Sequence, residues 1–184
     1  MPKIFLARHA TPDFTVKDLP YDIHPGPPLS AQGEAQAAAL ADFLKDQQVS
    51  KVYHSPFERA ARTARIIAAR NQIIAAEDKR LAEWREIDEP STAVQERMLH
   101  IFDELVVESA VSGSLALVSH GGPVALLLQG LGIDPSVLAT YRQKFDTTNP
   151  LPPAGAWSAE WNVAAKRWDL NLVFTPPVET ETQS

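Results

Sequence analysis

The 184-residue chain contains no cysteine. That single absence removes disulfide staples, thiolate nucleophiles and Cys-ligated zinc from consideration, and it is compatible with a cytoplasmic protein. Long apolar runs are missing as well. Charge interrupts the stretch Met1 to Arg8, and the run Val124 to Leu128 is far too short to cross a bilayer, so neither a signal peptide nor a membrane span is expected. An excess of positive charge is also lacking. Seventeen Lys and Arg stand against 23 Asp and Glu, for a net charge of −6. Nucleic-acid binders present basic faces to the phosphate backbone, so no such partner is expected. An acidic chain that handles an anion has to concentrate its cations in one pocket.

What remains is ordinary globular material, 45% apolar and 22% charged. A chain of this size buries roughly 70% of its unfolded surface, enough for one sizeable core. One domain is expected over 1–174, followed by a polar, proline-containing flexible tail at 175–184.

Apolar patterning divides the domain into alternating strands and helices. Ile4 to Ala7 reads as a buried strand ending at Arg8-His9, followed by a proline-rich loop over 10–29. Ser30 is placed to cap a helix whose face is traced by Ala35, Ala39, Leu40, Phe43 and Leu44. Val49 to Tyr53 suits a second strand. Ser55, Pro56 and Glu58 then form a capping-box start for a helix running to about Arg70. A short strand at Ile73 to Ala76 leads to Leu81-Ala82-Glu83-Trp84. A second capping box, Thr92 with Gln95, opens a helix carrying Val94, Met98, Ile101, Phe102, Leu105 and Val106. Leu115 to Ser119 is a fully buried strand type. Gly121-Gly122-Pro123 opens a helix through Leu131, with Gly132 as its C-cap. Two late strands are expected over Ala156 to Trp161 and Trp168 to Phe174. The sum is an α/β sheet covered by helices on both faces.

Three strand ends in this reading carry reactive residues: Arg8-His9, the Ser55–Arg59 turn, and His120. Ligands of open α/β sheets bind at the carboxyl ends of the strands, so two His and two Arg are expected to converge there. The helices starting near Pro56 and Pro123 are expected to aim free backbone N–H groups at an anion.

Five ordered blocks give the chain a resemblance to the histidine phosphatase superfamily, the phosphoglycerate mutase-like proteins. They are Leu6-Ala7-Arg8-His9-Ala10-Thr11, Leu29-Ser30-Ala31-Gln32-Gly33, Ser55 to Ala64 with Arg59, Leu81-Ala82-Glu83, and Val118-Ser119-His120-Gly121-Gly122. The resemblance implies a three-layer α/β sandwich with a mostly parallel sheet. It also implies a phosphatase that needs neither metal nor cofactor, with His9 as the residue that takes the phosphoryl group. Arg8, Arg59 and His120 would hold the phosphoryl oxygens, Thr11 and Gly121 would add contacts, and Glu83 falls on the family's proton donor. The partners implied are a small phosphorylated substrate and inorganic phosphate as product.

The residue types suit that chemistry. A neutral imidazole can attack phosphorus to give a phosphohistidine that water hydrolyses. Arginine forks bind phosphate oxygens bidentately and stay charged, and neighbouring cations favour the neutral, attacking form of His9. The leaving alkoxide needs a proton, which Glu83 would supply.

Plainer roles stand beside these. Arg62 is expected to pair with a surface carboxylate such as Glu58, His54 to be structural, His24 to be an exposed spectator, and Trp157, Trp161 and Trp168 to pack the late strands. Asp13 and Glu86 are the alternative acids. The chain also departs from the family pattern. Ala10 replaces a glycine, which adds a Cβ near the phosphate. Residues 12–15 read Pro-Asp-Phe-Thr and lack the asparagine that many members carry. The segment between Glu83 and His120 is shorter than in phosphoglycerate mutases, which favours hydrolysis over phosphoryl return. A mutase-type phosphotransferase and a weakly catalytic phospho-ligand-binding regulatory module are the alternatives. The 12–29 loop and the 84–91 segment are expected to line the entrance.

Overall fold

The computed structural model describes residues 2–145 and 149–177. Six strands, β1 (Ile4–Arg8), β2 (Lys51–His54), β3 (Ile74–Glu77), β4 (Leu115–Ser119), β5 (Ala156–Asn162) and β6 (Arg167–Phe174), form one sheet in the order β3-β2-β4-β1-β5-β6. The first four run parallel, and β5 and β6 pair antiparallel at one edge. The helices are α1 (Ala31–Asp46), α2 (Glu58–Asn71), α3 (Ser91–Ser112), α4 (Gly121–Gly130) and α5 (Pro135–Phe145), with a 3-10 turn at Lys79–Leu81.

Period-two alternation along the central strands builds two cores. Ile4, Leu6, Leu115 and Leu117 face Met98 and Phe102 of α3, Leu128 of α4 and Leu138 of α5. Phe5, Ala7, Ala116 and Val118 face Leu40 and Leu44 of α1 and Ala64 and Ile67 of α2. Strands buried on both sides therefore read as continuous apolar runs, as β1 and β4 do. Each leucine removed from water here contributes about 1.5–3 kcal/mol. The same layering brings the carboxyl ends of β1, β2 and β4 together, since Arg8 lies opposite Ser119 and His54 opposite Val118.

Several local expectations are corrected. The buried stripe of α1 is Gly33, Ala37, Leu40, Ala41 and Leu44, while Ala35 is exposed and Ala39 and Phe43 are half-buried. Packing against α2 selects the row with small alanines, which rotates the helix away from the expected face. Ser30 does cap α1, accepting from Gly33 N at 3.0 Å. Neither capping box forms. α2 starts at Glu58 behind Phe57, leaving Pro56 outside, and α3 starts at Ser91 behind Pro90. Thr92 and Gln95 lie inside α3, where the Gln95 amide instead donates to Leu126 O at 2.9 Å. α5 lies outside the expected elements, although Leu138, Tyr141 and Phe145 keep helical spacing; of its eleven residues only Leu138 is buried. Its start was nonetheless marked by Asp134-Pro135, whose aspartate accepts from Ser136 N at 2.8 Å. The expected tail falls mostly on 178–184, outside the described residues.

Candidate active site

Backbone hydrogen bonds hold the three strand ends in register. His9 N donates to Ser119 O at 2.9 Å, and Ser55 N donates to Val118 O at 3.0 Å. His9 and His120 therefore sit side by side, ring centroids 5.2 Å apart, and both are fully buried. Arg59 reaches His9 from the first turn of α2 and is also fully buried.

The bonding of His9 assigns its proton. Nδ1 lies 2.8 Å from the carbonyl of Ala10, which only accepts, so Nδ1 carries the hydrogen. Nε2 is then an acceptor. Arg59 Nε donates to it at 3.1 Å, and Tyr21 Oη lies 3.2 Å away. Burial, then the charges of His120, Arg59 and Arg8, push the His9 pKa well below its usual value of 6.5. The ring is neutral at physiological pH, with a lone pair on Nε2.

His120 is bonded differently. Its Nε2 lies 2.8 Å from Ser55 Oγ, and its Nδ1 lies 3.2 Å from Glu83 Oε2. The latter pair is close enough for charge attraction but out of line for a hydrogen bond, leaving Nδ1 unpartnered among the described residues. A carboxylate beside Nδ1 favours the proton there, so Nε2 accepts from the serine hydroxyl. Burial lowers the pKa of His120, and Glu83 only partly reverses this. Ser55, expected as a helix cap, thus anchors the second histidine. It also accepts from Phe57 N at 3.2 Å.

Glu83 Oε2 accepts from Arg59 Nη2 at 2.8 Å, and Oε1 accepts from Trp84 N at 3.0 Å. Burial alone would raise its pKa. The pull of the adjacent His120 ring, the Trp84 N–H and the Arg59 charge outweigh that and hold it at about 2. Glu83 reaches this position because Ser119 Oγ donates to Leu81 O at 2.8 Å, tying the 3-10 turn to the end of β4. Arg8 donates through Nη1 to Leu151 O at 2.7 Å, while its buried Nε has no partner among the described residues.

His9, His120, Arg59 and Glu83 therefore form one cluster, with the charge of Arg8 close enough to lower both imidazoles. Thr11 does not join through its hydroxyl, which donates to Gln36 Oε1 of α1 at 2.8 Å. Gly121 opens α4 directly behind His120. A Cβ there would stand 1.6 Å from Asn149 Nδ2, so the amide of Asn149 requires glycine at that position. Gly26 combines a φ of +71° with a Cβ position only 2.6 Å from Arg59 Nη1, so glycine there lets the loop close on the guanidinium. The Ala10 methyl is buried in the α1–α2 core, and its N–H donates to Thr63 Oγ1 at 3.1 Å. The expected crowding of the pocket by that Cβ is corrected accordingly. The first N–H of α2 is likewise not aimed at the pocket, since Glu58 N donates to Pro25 O at 2.9 Å.

Among the remaining residues, Arg62 does pair with a surface carboxylate, that of Glu34 at 2.7 Å, while Glu58 binds Arg65. Successive turns of α2 point Arg62 towards α1, and this decides the partner. His54 donates through Nδ1 to Ser55 O at 2.9 Å and lies outside the cluster. The exposed His24 ring meets Phe57 edge-on at 5.8 Å. The two expected rim segments do meet, through Arg85 Nε and Asp22 Oδ2 at 3.0 Å. Beside Arg8 and Thr11 lies a cavity of about 570 Å³ whose wall includes Phe14, Gln32, Gln36 and Lys144. His9, Glu83 and His120 offer three ligand atoms within 4.8 Å of one another. Arg59 already bonds two of those three residues, His9 through Nε and Glu83 through Nη2.

Residues 4–88 match the model of the "Histidine phosphatase superfamily (branch 1)". A 59-residue stretch is 49% identical to an uncharacterized protein of Mycobacterium tuberculosis strain H37Rv, covering 32% of this chain and 29% of that relative's length. A solved mycobacterial glucosyl-3-phosphoglycerate phosphatase complexed with VO3 superposes with a TM-score of 0.66, at 20% identity, over 96% of this chain and all of that one. A phosphoglycerate mutase from Bacillus anthracis str. Sterne superposes with a TM-score of 0.72, at 16% identity, over 94% and 92% of the two chains. Both share the α/β fold with its mainly parallel six-stranded sheet. Among the described residues no helix is long and apolar enough to cross a membrane.

Proposed function

For a chain with the histidine phosphatase signature over residues 4–88 and the phosphoglycerate mutase-like fold, we propose the activity of a phosphatase that hydrolyses a small phosphomonoester through a phosphohistidine on His9. The observation that carries this reading is the state of His9: a buried neutral imidazole, with Nδ1–H held by a carbonyl and the Nε2 lone pair facing Arg59.

In the first step the lone pair attacks phosphorus. The P–N bond forms, the P–O bond breaks, and the leaving oxygen takes its electron pair and a proton from Glu83. Arg8, Arg59 and His120 Nδ1–H balance the charge on the equatorial oxygens. Glu83 is ionised at rest, held at about 2 in part by Arg59. A phosphoryl dianion engages Arg59 and brings negative charge beside the carboxylate; both effects raise its affinity for a proton, which it takes up from water as the substrate binds. Water then attacks the phosphohistidine, the P–N bond breaks with its electron pair returning to Nε2, Glu83 takes the proton from the water, and inorganic phosphate leaves. The same carboxyl group serves as acid and then as base.

The cations are supplied by side chains, so the reaction needs no metal. The mixed lining near Arg8, with Phe14, Gln32, Gln36 and Lys144, suits a small metabolite that joins an apolar part to polar groups. Only Trp84 to Pro90 separate Glu83 from α3, a short segment that supports water access and therefore hydrolysis. Freedom from cysteine is compatible with a cytoplasmic setting, which we include in the proposal. The test is a panel of phosphorylated metabolites assayed for phosphate release with chelator present. Release of phosphate is expected. Turnover that depends on added Mg²⁺ would contradict the reading, and turnover that requires a bisphosphate primer would replace it with a mutase. Phosphate binding without any turnover would indicate a regulatory binding module.

A further inference from the structure

Besides Arg59, Tyr21 of the proline-rich loop meets the His9 lone pair. Its hydroxyl lies 3.2 Å from Nε2, and its ring lies 4.1 Å from the Arg59 guanidinium carbon. Its carbonyl accepts from Arg59 Nη1 at 2.9 Å, and Phe14 stacks on the ring at 6.0 Å. Tyr21 thus wraps Arg59 on a face and an edge while its hydroxyl points at the nucleophile. With the Nδ1–H of His9 held by Ala10, Arg59 Nε–H and Tyr21 O–H both donate to the same lone pair.

We propose that Tyr21 is a further catalytic residue, a hydroxyl donor to the phosphoryl oxygens; this rests on the phosphatase reading above. A phosphorus poised for attack stands about 3–3.5 Å from Nε2, along the lone pair. That is the distance at which the two donors now lie. When phosphorus takes the lone pair, both donors lose their acceptor, and the nearest replacements are the equatorial oxygens that arrive with it. Arg59 makes this exchange by common expectation for a phosphate-binding arginine. Tyr21, at the same distance from the same atom, makes it by the same geometry. Its ring contact and carbonyl bond to Arg59 keep it beside the phosphoryl group while the hydroxyl changes acceptor. Tyr21 keeps its own proton throughout: the lone pair of Nε2 forms the P–N bond, and the leaving oxygen draws its proton from Glu83.

The contrary role is a stopper. His9 and Arg59 are fully buried, and a tyrosine whose only act is to withdraw would slow the reaction by competing with substrate. Tyr21→Phe separates the two, because it keeps the ring on Arg59 and removes only the hydroxyl. Two readouts are needed: formation of phosphohistidine from p-nitrophenyl phosphate in a single turnover, and equilibrium binding of orthovanadate. A donor to a charged oxygen predicts a loss of about 10-fold or more in each. Unchanged or faster phosphorylation, or tighter vanadate binding, would overturn the proposal. A wild-type protein that is phosphorylated on His9 beside an unimpaired Tyr21→Phe removes Tyr21 alone. A wild-type protein that neither binds vanadate nor becomes phosphorylated removes the phosphatase reading, and Tyr21's role with it.

Discussion

Two corners of one pocket make opposite use of the same side chain. In the first, His9 is surrounded by donors: Arg59 Nε at 3.1 Å and Tyr21 Oη at 3.2 Å from Nε2. In the second, His120 lies between the Ser55 hydroxyl at 2.8 Å and the Glu83 carboxylate at 3.2 Å. Both rings are buried and both have lowered pKa values, so burial does not distinguish them. The partners do. Donors around Nε2 leave His9 an acceptor, fit to be a nucleophile, whereas a carboxylate beside Nδ1 leaves His120 a donor, fit to stabilise charge. A histidine's role in such a site is therefore read from what surrounds each nitrogen.

If that division is right, disturbing the second corner slows proton delivery without disabling attack. Glu83→Gln keeps size and polarity but has no carboxyl proton to give. An alkyl alkoxide must be protonated as it leaves, whereas p-nitrophenolate departs unaided. Single-turnover phosphorylation should fall ~10²–10⁴-fold with an alkyl phosphomonoester and far less with p-nitrophenyl phosphate. Equal losses would make Glu83 a positioning group and dissolve the contrast between the corners.

A smaller effect concerns stability. Both histidines are pushed below 6.5 in the folded protein, so below about pH 6.5 the unfolded chain binds more protons than the native one. Their contribution to stability is complete above pH 6.5 and declines as pH falls towards their lowered native values. Glu83, held at about 2 against an ordinary 4.5, adds a further loss only below pH 4.5. Urea midpoints measured from pH 8 to pH 5 should be level at first and then fall, and His9→Asn should fall less steeply. A midpoint that rises on acidification would mean the rings are charged in the native state.

Much of this pocket was legible in the chain, and the reason is local. Arg8-His9, Arg59, Glu83 and His120 follow strand or turn ends marked by apolar runs, and the parallel sheet gathers those ends. Fixed spacing along one strand or turn carries information that a sequence displays. Ser55 shows the limit. Its spacing to Glu58 matched a capping box, but the imidazole at 2.8 Å competes for the hydroxyl, and that contact spans 65 residues. Tyr21 lies in the 12–29 loop expected at the entrance, and a loop has no period from which depth can be deduced. Ser119, the support of the Glu83 turn, looked like the last residue of a buried strand; its bond to Leu81 spans 38 residues. Thr11 shows the same limit, since its place in a matching block says nothing of its partner on α1, Gln36 Oε1 at 2.8 Å.

The account stands on His9 Nε2 accepting the phosphoryl group. The direct measurement is to react the protein with labelled p-nitrophenyl phosphate, quench in alkali within one turnover, and map the label by peptide. The label should be acid-labile and alkali-stable and lie on the peptide containing His9. His9→Ala should carry none, with turnover reduced ~10³-fold or more. Label on His120, or near-normal turnover by His9→Ala, would contradict the assignment of the nucleophile.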